Sequence, residues 1–267
     1  MMSSVSQALS ISALRHPKEQ TYLLVGAVIG AIVWLLLLPL LLMLIWFVIP
    51  FAIVLWIAEQ FFRAELLGNA VKVSDEQYPE IHAIVKSQAG VLNLASIPEV
   101  FVINSQGAIN ALAVKFVSKK YVILYSSLID VMLAHGSLKE LSMVIGHELG
   151  HHAVGHLAWW KTFLLKPAMF IPFFGAAYSR ACELTADRIG LYLCGDSEAA
   201  RRGLIALASG SIYLAPKTAV KAFTEQERQM PPLFGFLHDL YATHPRTTRR
   251  VLELEAAKSL IGGTQNG

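Results

Sequence analysis

Hydrophobic residues are unevenly distributed along the 267-residue chain. From Tyr22 to Ala58 no residue is charged and none is histidine. One helix over that range would be about 55 Å long, whereas the hydrocarbon core of a bilayer is about 30 Å thick. The run therefore predicts two membrane-spanning helices, roughly residues 22–39 and 40–58, with a tight turn near Pro39. A single long tilted helix is the alternative; a cleaved signal peptide is not favoured, because its apolar region has only about 7–15 residues.

Shorter periodic segments follow this apolar run. Helical spacing of apolar residues predicts helices at 76–92, from 137 onward, around 183, at 197–208 and at 245–260. Apolar runs predict strands at 100–103, 111–117 and 121–125. We therefore predict an α+β protein with a membrane anchor at 1–66, one domain with a small sheet at 67–261, and a flexible tail at 262–267.

The charges are few and favour a lipid partner. The formal net charge of +3 is too small to suggest nucleic acid, but it suits a domain that lies on anionic lipid. Arg15 and Lys18 precede the apolar run and Arg63 follows it, which favours the cytoplasm for both flanks and for the following domain. Cys182 and Cys194 are expected to be buried free thiols in a reducing compartment. The sequence does not indicate an oligomeric state.

The segment His147-Glu148-Leu149-Gly150-His151 carries the clearest chemistry. Apolar residues around it recur at helical spacing, and Ser137 and Glu140 form a capping-box pattern that would start the helix at Ser137. Two histidines four residues apart share one helix face and can bind a Zn²⁺ ion, while Glu148 can take a proton from a water molecule. This pattern predicts peptide-bond hydrolysis. The alternative is a core helix with incidental histidines.

A catalytic zinc site needs a third protein ligand and one open position. His156 is one option, but it misses the H-E-x-x-H-x-x-G-x-x-H spacing by one residue. On a continuing helix His152 and His156 would point away from His147. We therefore expect both at the surface, at an interface or at a second site.

Glu183 is the preferred third ligand, because a Glu from a second helix completes a His₂Glu set. Asp187 follows one turn later and could accept the ring N–H of a ligand histidine. The alternative is a solvated helix face with a Glu–Arg pair.

Together these residues resemble the HtpX-like membrane zinc metallopeptidases. This family belongs to the gluzincins, the group that also includes the CAAX prenyl proteases. The resemblance covers roughly residues 75–255 and rests, in order, on Asn110-Ala111-Leu112-Ala113, His147-Glu148-x-x-His151, Ser179-Arg180-x-x-Glu183-x-x-Ala186-Asp187 and Thr243-His244-Pro245-x-x-x-x-Arg250.

The resemblance implies a zincin-type domain that binds one Zn²⁺ per chain through His147, His151 and Glu183. It implies that Glu148 acts as general base and later as proton donor. It also implies that Asp187 contacts a ligand histidine on the side away from the metal.

The same resemblance implies that His244 faces the tetrahedral intermediate, and that Asn110 and Ala111 lie on an edge strand that pairs with substrate backbone. The alternatives are a helix-start histidine before Pro245 and an ordinary turn asparagine.

Residues 157–178 depart from the family, which commonly has a second apolar hairpin there. Lys161 and Lys166 interrupt this segment and leave an uncharged part, 167–178, of only 12 residues, so we do not predict a membrane span there. We expect it to dip into the bilayer surface, cover the cleft as a lid, or pack in the core.

The function predicted from the sequence is that of a zinc metalloendopeptidase in the bacterial inner membrane. Its substrates would be membrane or membrane-proximal proteins, in the quality-control role that the resemblance implies. The alternatives are a non-catalytic membrane zinc protein and a narrow-specificity processing protease of the prenyl-protease kind.

Overall fold

The computed structural model describes residues 11–115 and 119–262, apart from the side chains of His135 and residues 259–262. Residues 116 and 117 of the predicted strand 111–117, and the predicted tail beyond Gly262, lie outside this description. The helices are α1 (Ile11–Leu14), α2 (Pro17–Leu36), α3 (Leu38–Met43), α4 (Val48–Asn69), α5 (Pro79–Val91), α6 (Ser126–Met132), α7 (Lys139–Ala153), α8 (Trp159–Met169), α9 (Phe174–Cys194), α10 (Ser197–Ser209), α11 (Val220–Gln229), α12 (Pro232–Tyr241) and α13 (Thr247–Gly262). The strands are β1 (Val71–Lys72), β2 (Glu99–Ile103), β3 (Ala111–Lys115) and β4 (Lys120–Tyr125).

The small sheet has the strand order β1-β2-β4-β3, so β3 lies at its edge in the described part of the chain. Strand β4 pairs parallel with β2 and antiparallel with β3. Both faces of the sheet are covered: Val122 and Leu124 face the main core, whereas Tyr121 and Ile123 pack with the end of α4. The fold is therefore the expected mixture of helices and a small sheet, with helix predominating.

Helices α7 and α9 cross at very close range in the core. A Cβ atom added to Gly190 of α9 would lie 2.7 Å from the Met143 carbonyl oxygen and 3.2 Å from the His147 amide nitrogen of α7. Glycine is therefore needed there for the two backbones to approach. This crossing brings the central turns of the two helices together.

The start of α7 differs from the prediction. The helix begins at Lys139, and the Ser137 hydroxyl accepts the Lys139 N–H at 3.1 Å. Leu138 rather than Ser137 is therefore the N-cap residue, and the buried Glu140 carboxylate accepts a hydrogen bond from Arg202 Nε at 2.8 Å. A tertiary ion pair thus involves the glutamate of the predicted capping box.

Two helical segments, Pro17–Leu36 and Ile45–Asn69, are long and apolar enough to cross a membrane. They do not follow the predicted boundaries 22–39 and 40–58. Pro39 lies between the two long segments, in the first turn of the short helix α3, where proline is tolerated. The second segment extends past the uncharged run because Leu66, near its end, packs on the sheet.

Helix α2 packs mainly against α8, from the apolar segment 157–178. A Cβ atom on Gly30 would lie 1.9 Å from the Leu164 carbonyl oxygen, so only glycine fits this crossing. Trp34 stacks on Phe163 with ring centroids 4.2 Å apart and donates its indole N–H to the Phe163 carbonyl at 2.9 Å. The inner face of α8 therefore belongs to a packed core, while Trp159 and Trp160 on its other side are exposed.

Candidate metal centre and active site

Nitrogen and oxygen atoms of three residues meet at the α7–α9 crossing. The Nε2 atoms of His147 and His151 are 3.2 Å apart. Glu183 of α9 approaches both rings, with Oε2 3.5 Å from Nε2 of His147 and Oε1 3.5 Å from Nε2 of His151.

This spacing fits a tetrahedral zinc ion. Zinc binds nitrogen and oxygen at about 2.0–2.2 Å, which places neighbouring tetrahedral ligands about 3.3–3.5 Å apart. The two nitrogen atoms are 3.2 Å apart, and each lies 3.5 Å from a different carboxylate oxygen of Glu183, so these distances are close to that range. The donor set is also the His₂Glu combination of catalytic zinc sites, which leaves one position open.

His147 is oriented from behind by Asp187. Its Nδ1 atom lies 2.9 Å from Asp187 Oδ1, and Arg250 of α13 donates to both carboxylate oxygens at 2.6 and 2.8 Å. Burial lowers the pKa of His147, but hydrogen bonds with Asp187 and Glu183 outweigh it and raise the pKa to about 10. Burial would raise the pKa of Asp187, yet Arg250 keeps it below its usual value. The sequence motif contained Arg250 but gave no indication of this role.

His156 does not lie where a continuing helix would place it, and neither His152 nor His156 is at the surface. Helix α7 ends at Ala153, and Gly155 has a φ of +72°, a conformation that favours glycine. The chain turns back, and His156 Nδ1 comes within 2.8 Å of Nδ1 of the candidate ligand His151. His152 is buried, with its Nε2 atom 3.0 Å from the Tyr121 carbonyl oxygen, and burial lowers its pKa to about 4. Both are interior residues.

Glu148 lies beside the metal centre, facing the edge strand. Burial raises the pKa of its carboxyl group, although a hydrogen bond from the Ala113 N–H opposes that shift. A raised pKa suits a group that must take up a proton and later release it.

The backbone of β3 presents part of its hydrogen-bonding edge to the same space. The Tyr125 N–H donates to the Asn110 carbonyl at 3.2 Å, which makes these residues a hydrogen-bonded pair. In an antiparallel pair the next residues alternate, so the backbone groups of Ala111 and Ala113 point away from β4. The Asn110 side chain accepts the Ala111 N–H at 3.0 Å.

One cavity of about 270 Å³ joins these features. His244 adjoins it with a side chain that is 68% exposed and an Nδ1 atom 3.1 Å from Glu183 Oε2, a hydrogen bond that raises the pKa of His244. Of segment 157–178, Leu157 lines the cavity. The predicted site residues along its wall are Asn110, Ala111, His147, Glu148, His151, Glu183 and His244.

The sequence of this region matches a known family. Residues 75–165 and 158–258 match peptidase family M48. The chain belongs to this family. Membership supports a metal-dependent peptidase, with zinc as the typical metal, on a zincin-type fold; the narrower HtpX-like assignment stays a prediction.

A relative from Arabidopsis thaliana is similar over much of the chain. It is the plastoglobule-localized metallopeptidase 48, chloroplastic, which is 28% identical over 221 residues. The match covers 74% of this chain and 62% of the relative, so the chain spans less than two thirds of the relative's length. No solved structure matches the chain with significance.

Proposed function

We propose that this protein is a membrane-anchored zinc metalloendopeptidase that cleaves membrane or membrane-proximal proteins. The observation that carries the proposal is one cavity in which the ligand atoms of His147, His151 and Glu183 lie within 4.8 Å of one another, with Glu148 and the edge of β3 beside them.

His147, His151 and Glu183 would bind the zinc ion, and Asp187 would fix the ring of His147. Bound zinc would supply a Lewis acid that polarises the scissile carbonyl group and makes a water molecule more acidic. Glu148 would take the proton of that water and later deliver it to the leaving amine, a task for which its raised pKa is suited. The exposed ring of His244 would donate a hydrogen bond to the developing oxyanion.

The edge of β3 would bind substrate as an added strand. The carbonyl groups of Ala111 and Ala113 point away from β4 and can accept hydrogen bonds from an extended peptide largely regardless of its sequence, while their N–H groups bond Asn110 and Glu148. Asn110 would fix the start of this edge through its bond to the Ala111 N–H. Such binding favours unfolded or loosely folded segments, which agrees with a quality-control role.

The apolar helices α2 and α4 support membrane anchoring. The candidate spans are only 17% and 6% buried within the protein, so their apolar surfaces need another covering. A bilayer provides it and would keep the cavity near the membrane surface, with the positively charged flanks favouring the cytoplasmic side.

The test is a comparison of wild type with Glu148→Gln in detergent, using casein as an unstructured substrate. The variant should bind zinc as the wild type does and cleave at least roughly 100-fold more slowly, because general base catalysis is lost. The exposed Glu198→Gln is the matched control and should cleave normally. Undiminished cleavage by Glu148→Gln would refute the mechanism.

The two alternative functions give different outcomes in the same assay. A wild type that binds zinc but cleaves neither casein nor membrane proteins would favour a non-catalytic zinc protein. Cleavage of a prenylated peptide but not of casein would favour a processing protease.

A further inference from the structure

A buried polar group from the first apolar helix lies behind the metal centre. Glu19, near the start of α2, is completely buried, and its Oε1 atom lies 3.2 Å from Nε2 of His156. His156 in turn lies 2.8 Å from the candidate ligand His151 through the two Nδ1 atoms. A continuous path of contacts thus runs from α2 to a ring that would bind zinc.

We propose that Glu19 and His156 are positioning residues that fix the ring orientation and tautomer of His151. The inference rests on the proposed function, because it assigns these residues a role toward the bound zinc. It also makes α2 a part of the metal centre, although Glu19 lies outside the residues that match family M48.

The direction of the hydrogens supports this role. If His151 binds zinc through Nε2, its neutral ring carries the hydrogen on Nδ1 and must donate it. His156 can accept only through an unprotonated Nδ1, which leaves its own hydrogen on Nε2, toward the Glu19 carboxylate. That last contact, at 3.2 Å, is a close polar contact of the neutral ring whose angles lie outside those of a hydrogen bond. One placement of the ring hydrogens is thus compatible with His151, His156 and Glu19 together.

The start of α2 is tied firmly to both metal-binding helices. The Thr185 hydroxyl, two residues after Glu183, donates to Glu19 Oε2 at 2.6 Å and accepts the His16 N–H at 2.9 Å. Arg15 pairs with Glu19 and also donates to the Val154 carbonyl, just after α7, at 2.6 Å. These bonds give the Glu19 carboxylate a fixed place.

A second metal ion is a less suitable explanation of the same cluster. The ligand atoms of Glu19, His156 and Cys182 lie close enough together to bind one. However, the Glu19 carboxylate already faces Arg15, with Lys161 Nζ 4.0 Å away. Two cations beside the only carboxylate of the set oppose the binding of another.

The experiment measures zinc affinity by chelator competition in the full-length protein, and the visible spectrum after cobalt substitution. Loss of such an outer partner typically weakens metal binding about 10–100-fold. We expect Glu19→Gln to weaken zinc binding about tenfold and His156→Phe up to about 100-fold, each with a changed cobalt spectrum. His156→Gln, whose amide can both accept and donate, should restore much of the affinity.

Glu253→Gln is the matched control. It removes another acid–histidine contact at the start of α2, the 3.7 Å approach of His16 to Glu253, without touching His151. It should leave zinc affinity and the cobalt spectrum unchanged. Equal weakening by Glu253→Gln and Glu19→Gln would show general loosening of α2 and overturn the inference.

Unfolding temperatures measured in the presence of chelator show whether each variant folds without metal. Loss of folding can therefore be distinguished from loss of metal binding. If Glu19→Gln does not fold, the zinc affinities of His156→Phe and His156→Gln are compared instead. A higher affinity of His156→Gln supports the inference, and equal affinities overturn it. Wild-type affinity and spectrum in both Glu19→Gln and His156→Phe would overturn the inference while leaving the proposed function intact. A wild type that binds neither metal would overturn both.

Discussion

At the scale of single residues, the site combines ligands that the sequence indicated with supports that it did not. The H-E-x-x-H spacing placed His147 and His151 on one face, because helix geometry is local. The supporting contacts come from distant parts of the chain. Arg250 contacts Asp187, the partner of His147, from 63 positions away, and Glu19 contacts His156, the partner of His151. Such contacts depend on the tertiary arrangement and have no local pattern.

Asp187→Asn should weaken zinc binding roughly 10–100-fold, because His147 loses its charged partner. It also leaves the buried Arg250 without its carboxylate, which typically costs about 3–5 kcal/mol of stability. Chelator competition and urea unfolding measure the two effects. The exposed Asp130→Asn should change neither, and normal zinc affinity in Asp187→Asn would contradict the assigned orienting role.

His152 should make the protein less stable in acid. Its pKa is about 4 when folded and about 6.5 when unfolded, so between these values only the unfolded chain binds the proton. Stability is then lost as the pH falls from 6.5 towards 4, with a slope from this group of at most about 1.4 kcal/mol per pH unit. His152→Gln retains a donor for the Tyr121 carbonyl and should flatten the curve over this window. Urea unfolding with chelator at several pH values provides the measurement, and parallel curves would contradict the assignment.

At the scale of elements, the fold class and the positions of several helices and strands were predictable from periodicity. Strand β4 and helix α10 lie close to their predicted ranges, because their apolar patterns are strong. The two-residue β1 and helices α6, α11 and α12 were not predicted. The start of α7 was placed two residues too early, since Leu138 is the N-cap residue and the glutamate of the predicted capping box pairs with Arg202. The segment after α7 was mispredicted because one glycine turns the chain.

The α7–α9 crossing should be intolerant of any side chain at Gly190. Gly190→Ala would press a methyl group on the backbone of Met143 and His147, and overpacking of this kind typically costs about 1–3 kcal/mol. Zinc affinity should fall as well, because the clash separates the two ligand-bearing helices. Gly90→Ala in α5 meets nothing within 4 Å and should be neutral or stabilising by up to about 1 kcal/mol. Urea unfolding and chelator competition compare the two variants, and equal effects would contradict the close crossing.

At the scale of the whole molecule, the exposed apolar surface of α4 distinguishes the chain from an ordinary soluble domain. Ile49 is 71% and Ile53 is 52% exposed. The length and apolar composition of the segment were enough to predict this helix. Its boundaries depended in addition on the packing of Leu66 against the sheet.

The double variant Ile49→Lys with Ile53→Lys should lose membrane retention but keep its fold. A lysine costs up to roughly 2.5–3.5 kcal/mol for insertion at the centre of a span, and neither side chain supports the core. Sedimentation after alkaline carbonate extraction measures retention, and unfolding in detergent measures stability. The wild type should remain with the membranes, and its full release would contradict anchoring.

The bonds between the start of α2 and α9 also bear on when the protein becomes active. The His16–Thr185 and Glu19–Thr185 hydrogen bonds join residues 169 and 166 positions apart. During synthesis the N-terminal part emerges first and must wait for the later helices. Arg250, which pairs with Asp187, emerges later still. A nascent chain therefore cannot complete the proposed metal centre before Arg250 has emerged from the ribosome, and we expect proteolysis to be delayed at least until then.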